Sequence, residues 1–140
     1  MRNMCVMDCS FASAFFLGEA EGERFGDIYK RYHLHGEGVH VPALFTFEIM
    51  NVFLSALRRK RITQEDAITI RQDLHFLKFT KDNGPSERQV ETIFELADRH
   101  KLTFYDASYL ELAIRHKADL KTLDKDLLKL KDEFSWISDH

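Results

Sequence analysis

Four acidic residues stand where folding alone gives an acid little to do: Asp8, Glu48, Asp106 and Asp124. Asp8 ends the apolar run Met4 to Met7. Glu48 interrupts the apolar stretch Pro42 to Leu57. Asp106 follows Leu102-Thr103-Phe104-Tyr105, and Asp124 closes Leu120-Lys121-Thr122-Leu123. A carboxylate beside a core must be paired, protonated or bound to a cation, because burying it bare is costly. No lysine or arginine lies in the apolar runs before Asp8 or around Glu48. If the four converge, they make an all-oxygen cage suited to a hard divalent cation such as Mg²⁺ or Mn²⁺.

Other polar residues accompany them. Ser10 follows Asp8 at what reads as a strand-to-helix junction. Either Asp8 or Ser10 suits a helix cap there, and Ser10 in that role leaves Asp8 free for other work. Asn51 is one turn past Glu48 on the same helix face, placed to orient neighbouring carboxylates. The bland alternative for Glu48 and Asn51 is a polar stripe at a helix surface. Thr122 and Asp124 share one face of a strand end, so the Thr122 hydroxyl is placed to hold a water or a phosphate. Asp106 reads as the N-cap of a helix over Asp106–Arg115, a role compatible with cation binding. Asp126 is a substitute for Asp124, with helix-opening charge as its simpler role.

The elements that must position these residues alternate. Met4–Met7 and Val39–Val41 read as short strands, the second stopped by Pro42. Ser10–Leu17 and Glu23–Tyr32 read as helices, and Leu44–Arg59 as a central buried helix, apolar nearly all round. Thr63 with Asp66 and Ser86 with Gln89 form capping boxes, opening helices to about Leu77 and His100. Asn83-Gly84-Pro85 is a turn. Strand Leu120–Thr122, a short helix Lys125–Leu130 and a last strand Phe134–Ile137 complete the chain. Strands alternating with helices predict an α/β layer fold with a mostly parallel sheet. Sites in such folds lie beyond the carboxyl ends of the strands, where Asp8 and Asp124 fall.

The 140 residues suit one domain, residues 1–140, with one core. With 44% hydrophobic and 31% charged residues the chain reads as globular. A net charge of −3 excludes a polycation, so a nucleic-acid partner needs a local basic patch or cations to offset phosphate repulsion. Arg58-Arg59-Lys60-Arg61, ending the central helix, is such a patch, or else a solvated helix end. Cys5 and Cys9 lie along one strand, too far apart to bridge, which suggests a reduced, cytoplasmic chain. Arg2 and the run Met4 to Leu17 faintly imitate a signal peptide, but Asp8 within the run argues against secretion. No stretch is long enough to span a membrane. His33, His35 and His40 surround Gly36-Glu37-Gly38, but their spacing fits no standard zinc pattern and predicts a surface loop.

The order of motifs resembles a PIN-domain protein, and more narrowly the VapC toxins of type II toxin–antitoxin pairs. The resemblance spans nearly the whole chain. It rests on Asp8-Cys9-Ser10, on Pro42-Ala43-Leu44 with Glu48-Ile49-Met50-Asn51, on Thr103 to Ala113, and on Thr122 to Leu127. It implies a three-layer fold with a mostly parallel central sheet flanked by helices. It also implies a Mg²⁺- or Mn²⁺-dependent endoribonuclease that cuts structured RNA, such as a tRNA or ribosomal hairpin. By the same resemblance Asp8, Glu48, Asp106 and Asp124 would hold the metal, with Ser10, Asn51 and Thr122 in support. A cognate antitoxin and a homodimer are the partners implied. Two rivals remain: a haloacid dehalogenase-like phosphotransfer enzyme with Asp8 as nucleophile, and a non-catalytic module that binds RNA or protein. The first usually wants a second acid two residues on, where this chain has Ser10.

Overall fold

The computed structural model describes residues 2–140. Strand β1 (Cys5–Met7) leads into helix α1 (Cys9–Phe16), and α2 (Phe25–His35) into strand β2 (Val39–Val41). Helices α3 (Phe45–Arg58) and α4 (Gln64–Phe76) follow, then strand β3 (Phe79–Lys81). Helices α5 (Glu87–His100) and α6 (Phe104–His116) precede strand β4 (Asp119–Lys121), helix α7 (Lys125–Leu128) and strand β5 (Ile137–Ser138).

The five strands form one sheet in the order β3-β2-β1-β4-β5, and every neighbouring pair is parallel. Helices flank this sheet, which agrees with the layered α/β expectation and makes the sheet wholly parallel. Parallel strands buried by crossover helices should read as continuous apolar runs. β1 does: Cys5, Val6 and Met7 are inaccessible to solvent. β4 does not, since Asp119 and Lys121 are charged. Both are buried with partners: Asp119 accepts from the Tyr32 hydroxyl and the Arg2 amide, and Lys121 Nζ donates to Ser138 Oγ at 2.8 Å and to the His140 carbonyl at 2.7 Å.

Helix ends follow their side chains. The Thr63–Asp66 and Ser86–Gln89 capping boxes are both formed. Three helices end on a lysine in the left-handed region, at Lys60, Lys101 and Lys117, where glycine is the usual choice. Beyond Lys60, the Arg61 amide reaches back to the Ala56 carbonyl, and Lys60 to Leu57, which satisfies carbonyls the end of α3 would otherwise leave open. Gly36 is dictated by a close approach: a Cβ there would lie 2.2 Å from the Asn3 carbonyl oxygen, which the Glu37 amide holds at 2.8 Å.

Several expectations need correction. β3 was not foreseen, because Phe79-Thr80-Lys81 pairs only with β2 at the sheet's edge and carries a weak apolar signal. The last strand is Ile137–Ser138, since Phe134 and Trp136 pack as rings at 5.2 Å before it. The first turn of α6 starts earlier than expected: Thr103, not Asp106, is the N-cap and accepts from the Asp106 amide at 3.0 Å. Finally, α3 is not buried all round. Phe45, Ile49, Phe53 and Ala56 form its core face, whereas Phe47 and Leu54 are exposed. Cys5 and Cys9 are both buried and free. No helix among the described residues is long and apolar enough to cross a membrane.

Candidate active site

The order of strands reverses direction at β1. From there the chain runs outward to β2 and β3, then returns to β4 on the other flank. Such a switch point leaves a crevice at the carboxyl ends of the two strands. Asp8 directly follows β1, and Thr122 and Asp124 directly follow β4. The Asp8 amide donates to the Lys121 carbonyl at 3.1 Å, so the two strand ends are stitched together where the acids begin.

Asp8 is the hub of this edge and is only 3% exposed. Its Oδ1 accepts from Ser10 Oγ at 2.6 Å and from the Phe11 amide at 3.0 Å, and its Oδ2 accepts from Thr122 Oγ1 at 2.5 Å. Asp8 therefore caps α1 itself. Ser10 does not take the cap: its hydroxyl oxygen accepts from the Leu123 amide at 3.0 Å while its proton goes to Asp8. Thr122 is engaged too, since its hydroxyl oxygen also accepts from the Asp124 amide at 2.9 Å. It is a brace between the two strand ends rather than a free hydroxyl for a water or phosphate.

The other acids approach from three helices. Asp124 caps α7, its Oδ1 accepting from the Asp126 and Leu127 amides at 2.9 and 3.0 Å. Asp106 sits in the first turn of α6, half-buried. Glu48, in the first turn of α3, accepts from the Tyr109 hydroxyl at 2.6 Å, which ties α3 to α6. Tyr109 was part of the motif read from sequence but was given no role; its spacing from Asp106 on one helix is the only signal that marks it. Asn51 is exposed and makes no hydrogen bond to any of the four acids among the described residues. The orienting role foreseen for it falls to Tyr109. Asp126 is exposed, 3.6 Å from Lys129.

Electrostatics show that the acids feel one another. Burial pushes the Asp8 carboxyl up to about 6, against the opposing pull of its hydrogen bonds from Ser10, Thr122 and the Phe11 amide. Burial also lifts Asp106 to about 6, with the neighbouring charge of Asp124 next in weight and those of Glu48 and Asp126 behind it. Glu48 is raised by burial, less the favourable bond from Tyr109. Burial and the charges of Glu48 and Asp8 hold the Cys9 thiol up at about 12, so it is neutral and inert.

Other buried or half-buried acids in the fold have cationic or neutral partners: Asp82 and Glu111 share Arg115 at 2.5 and 2.9 Å. Among the described residues, none of Asp8, Glu48, Asp106 and Asp124 is in an ion pair. The structure thus gathers four carboxylates at one sheet edge and supplies no cation for them. Nor do they form a closed cage as they stand: among the described residues no group of three His, Cys, Asp or Glu side chains is arranged to hold an ion. The histidines form no such group either; His40 faces the ring of His116 at 5.8 Å, and His33 stacks on Tyr29. The basic run lies at the far end of α3 and is exposed, with Arg61 3.6 Å from Glu19.

Comparison with known proteins bears on the family and the fold. Ribonuclease VapC3 of Pyrobaculum aerophilum is 28% identical over 123 residues, covering 87% of this chain and 90% of that protein. The crystal structure of PAE2754 from Pyrobaculum aerophilum is similar in fold, with a TM-score of 0.66 and 24% identity over 90% of this chain and 78% of the other. A toxin–antitoxin complex from Klebsiella pneumoniae gives a TM-score of 0.66 at 17% identity, covering 97% and 98% of the two chains. Mycobacterium tuberculosis VapC20, described as a sarcin–ricin loop cleaving toxin, gives 0.58 at 17% identity over 87% and 91%. The sequence model of the PIN domain matches residues 5–133, and on that match over nearly its whole length the chain belongs to the PIN domain family.

Proposed function

We propose that this chain is a VapC-type toxin: an endoribonuclease that uses Mg²⁺ or Mn²⁺ to cut structured RNA, such as a tRNA or ribosomal hairpin. One observation carries the reading. Four carboxylates cluster about the ends of β1 and β4, closely enough for Asp106 to feel the charges of Asp124 and Glu48; two of them are held near a pKa of about 6, chiefly by burial, and among the described residues none is in an ion pair. All-oxygen donors of this kind suit a hard divalent cation, and binding one relieves both their repulsion and their repulsion of phosphate. Asp8, Asp106 and Asp124 would hold it, with Glu48 completing the set. Held there, such a cation would lower the pKa of a water and stabilise charge on the phosphate.

The protein's own part is positioning. Ser10, Thr122 and the Phe11 amide fix both oxygens of Asp8, and Tyr109 fixes Glu48. The names of the similar proteins support ribonuclease activity and an antitoxin partner. An antitoxin tail bearing Lys or Arg would satisfy the unpaired acids, and so block the crevice. A homodimer and a cytoplasmic setting belong to the same reading.

The phosphotransfer alternative finds no support. Such an enzyme usually wants a second acid two residues after the nucleophile, and here Ser10 stands there, its hydroxyl engaged with Asp8 and the Leu123 amide. The test of the reading is direct. Purified protein should cut RNA with Mg²⁺ or Mn²⁺ and stop on chelation. Expressed alone it should arrest growth, and Asp8→Asn should relieve the arrest. Undiminished cleavage after thorough chelation would refute the metal mechanism; harmless expression of soluble, folded wild type would refute the toxin.

A further inference from the structure

A cavity of about 200 Å³ lies beside the acids, between the start of α3, the inner face of α5 and the start of α6. Leu44, Ile93, Tyr105, Ser108 and Leu112 line it. Two of its lining residues are chain neighbours of the proposed site. Tyr105 is the residue before Asp106, and Ser108 the residue before Tyr109, which bonds Glu48. Two aromatic side chains of its lining are exposed, Phe104 at 37% and Tyr105 at 60%.

The chemistry of the walls narrows the occupant. The charged groups lining the cavity are Asp82, Glu111 and Arg115, and they are consumed in pairing with one another. A phosphate finds no free cation there. A basic side chain finds carboxylates already engaged. What the walls favour is a neutral, flat, largely apolar group with a few polar edges, entered past exposed aromatic rings. Unstacked nucleobases are bound in this way, by stacking on aromatic faces, because every base has a π-face.

We infer that the cavity is a base-binding subsite: it takes one unstacked nucleobase of the RNA, with Tyr105 as the stacking surface, while the adjoining phosphate lies over the acids. This rests on the ribonuclease reading for its substrate, but the base site is testable without metal, phosphate or cleavage.

The experiment uses neutral probes. Methyl spectra of Ile93 and Leu112 are followed while the protein is titrated with adenosine, cytidine, uridine and, as control, ribose. At least one nucleoside should shift both residues and ribose should not. Tyr105→Ala should weaken that nucleoside by roughly 5- to 100-fold, the range that stacking of one base covers, while Tyr105→Phe keeps its affinity. Ala43→Phe, which fills the cavity from its half-buried wall, should abolish binding. No shift at the solubility limit, or an equal shift with ribose, overturns the proposal. So do methyl shifts that track protein concentration alone, which would make the cavity a contact between copies of the chain. Nucleoside binding by a protein that cuts no RNA would leave the base site standing and remove the ribonuclease reading. Metal-dependent cleavage with an unchanged KM in both Tyr105→Ala and Ala43→Phe would do the reverse.

Discussion

Asp106→Asn separates charge from architecture, because Thr103, and not Asp106, caps α6. The substitution leaves the cap intact and removes one of four mutually repelling carboxylates. Its stability effect has a definite sign. The folded-state pKa of about 6 lies above the ordinary carboxyl value of 3.8, so the folded protein holds that proton more tightly than the unfolded chain. The resulting penalty is absent below the lower value, grows as pH rises between the two, and is complete above the upper one. A shift of this size corresponds to roughly 3 kcal/mol for a fully buried group. Asp106 is half-buried, and solvent screening reduces that to about 1 kcal/mol. Without metal, Asp106→Asn should therefore melt roughly 3–4 °C above wild type at pH 7.5. At pH 5 the gain should be smaller. Mn²⁺ inverts the ranking: near 100 times its Kd it adds roughly 2.7 kcal/mol to wild type, and markedly less to the variant. The assay is thermal unfolding of both proteins at the two pH values, with and without Mn²⁺, beside RNA cleavage. Equal melting without metal, equal Mn²⁺ shifts and full activity in the variant would refute the reasoning and leave Asp106 an ordinary first-turn acid.

Other substitutions test neighbouring parts of the argument. Tyr109→Phe removes the hydroxyl that holds Glu48 and should cost about 1 kcal/mol of stability; RNA-cleavage kinetics should show a fall in kcat larger than any change in KM. Lys101→Gly relieves a left-handed residue at the end of α5 and should stabilise the fold by about 1 kcal/mol in urea unfolding, with no effect on cleavage. Arg58→Gln with Arg59→Gln should weaken RNA or antitoxin binding and flatten its dependence on salt, as titrations at several ionic strengths would show. Unchanged affinity for both would make the run a solvated helix end.

The sequence made the parallel α/β arrangement legible through the alternation of short apolar runs with capped helices. Both capping boxes could be read because Ser or Thr followed three residues later by Gln or Asp is a local signal. Asp106 as a cap could not be corrected from sequence, since Thr103 and Asp106 are both good cap residues and only the chain path chooses. β3 was hidden for another reason: an edge strand of three residues with one apolar side chain inside has almost no pattern. The four acids were legible by type, being charges beside apolar runs. Their supports were less so. Thr122 donates to Asp8 across more of the chain than any local pattern spans, and Tyr109 reaches Glu48 from another helix. Asn51 looked equally suited to that task by spacing, but on α3 it points to solvent.

The stitching of β1 to β4 has a consequence in time. Asp8 and Thr122 touch across 114 positions of the chain, and β1 acquires its β4 neighbour only after all of α1 to α6 has been made. Loops of that length close slowly, and a parallel strand pair cannot be anticipated by a local hairpin. A ribosome making this protein first releases a segment that carries Asp8 and Glu48 with neither Asp106 nor Asp124 beside them. Until β4 and α7 emerge, the crevice has one wall. On the proposed site, the nascent chain lacks two of the four acids until synthesis has passed the closing strands.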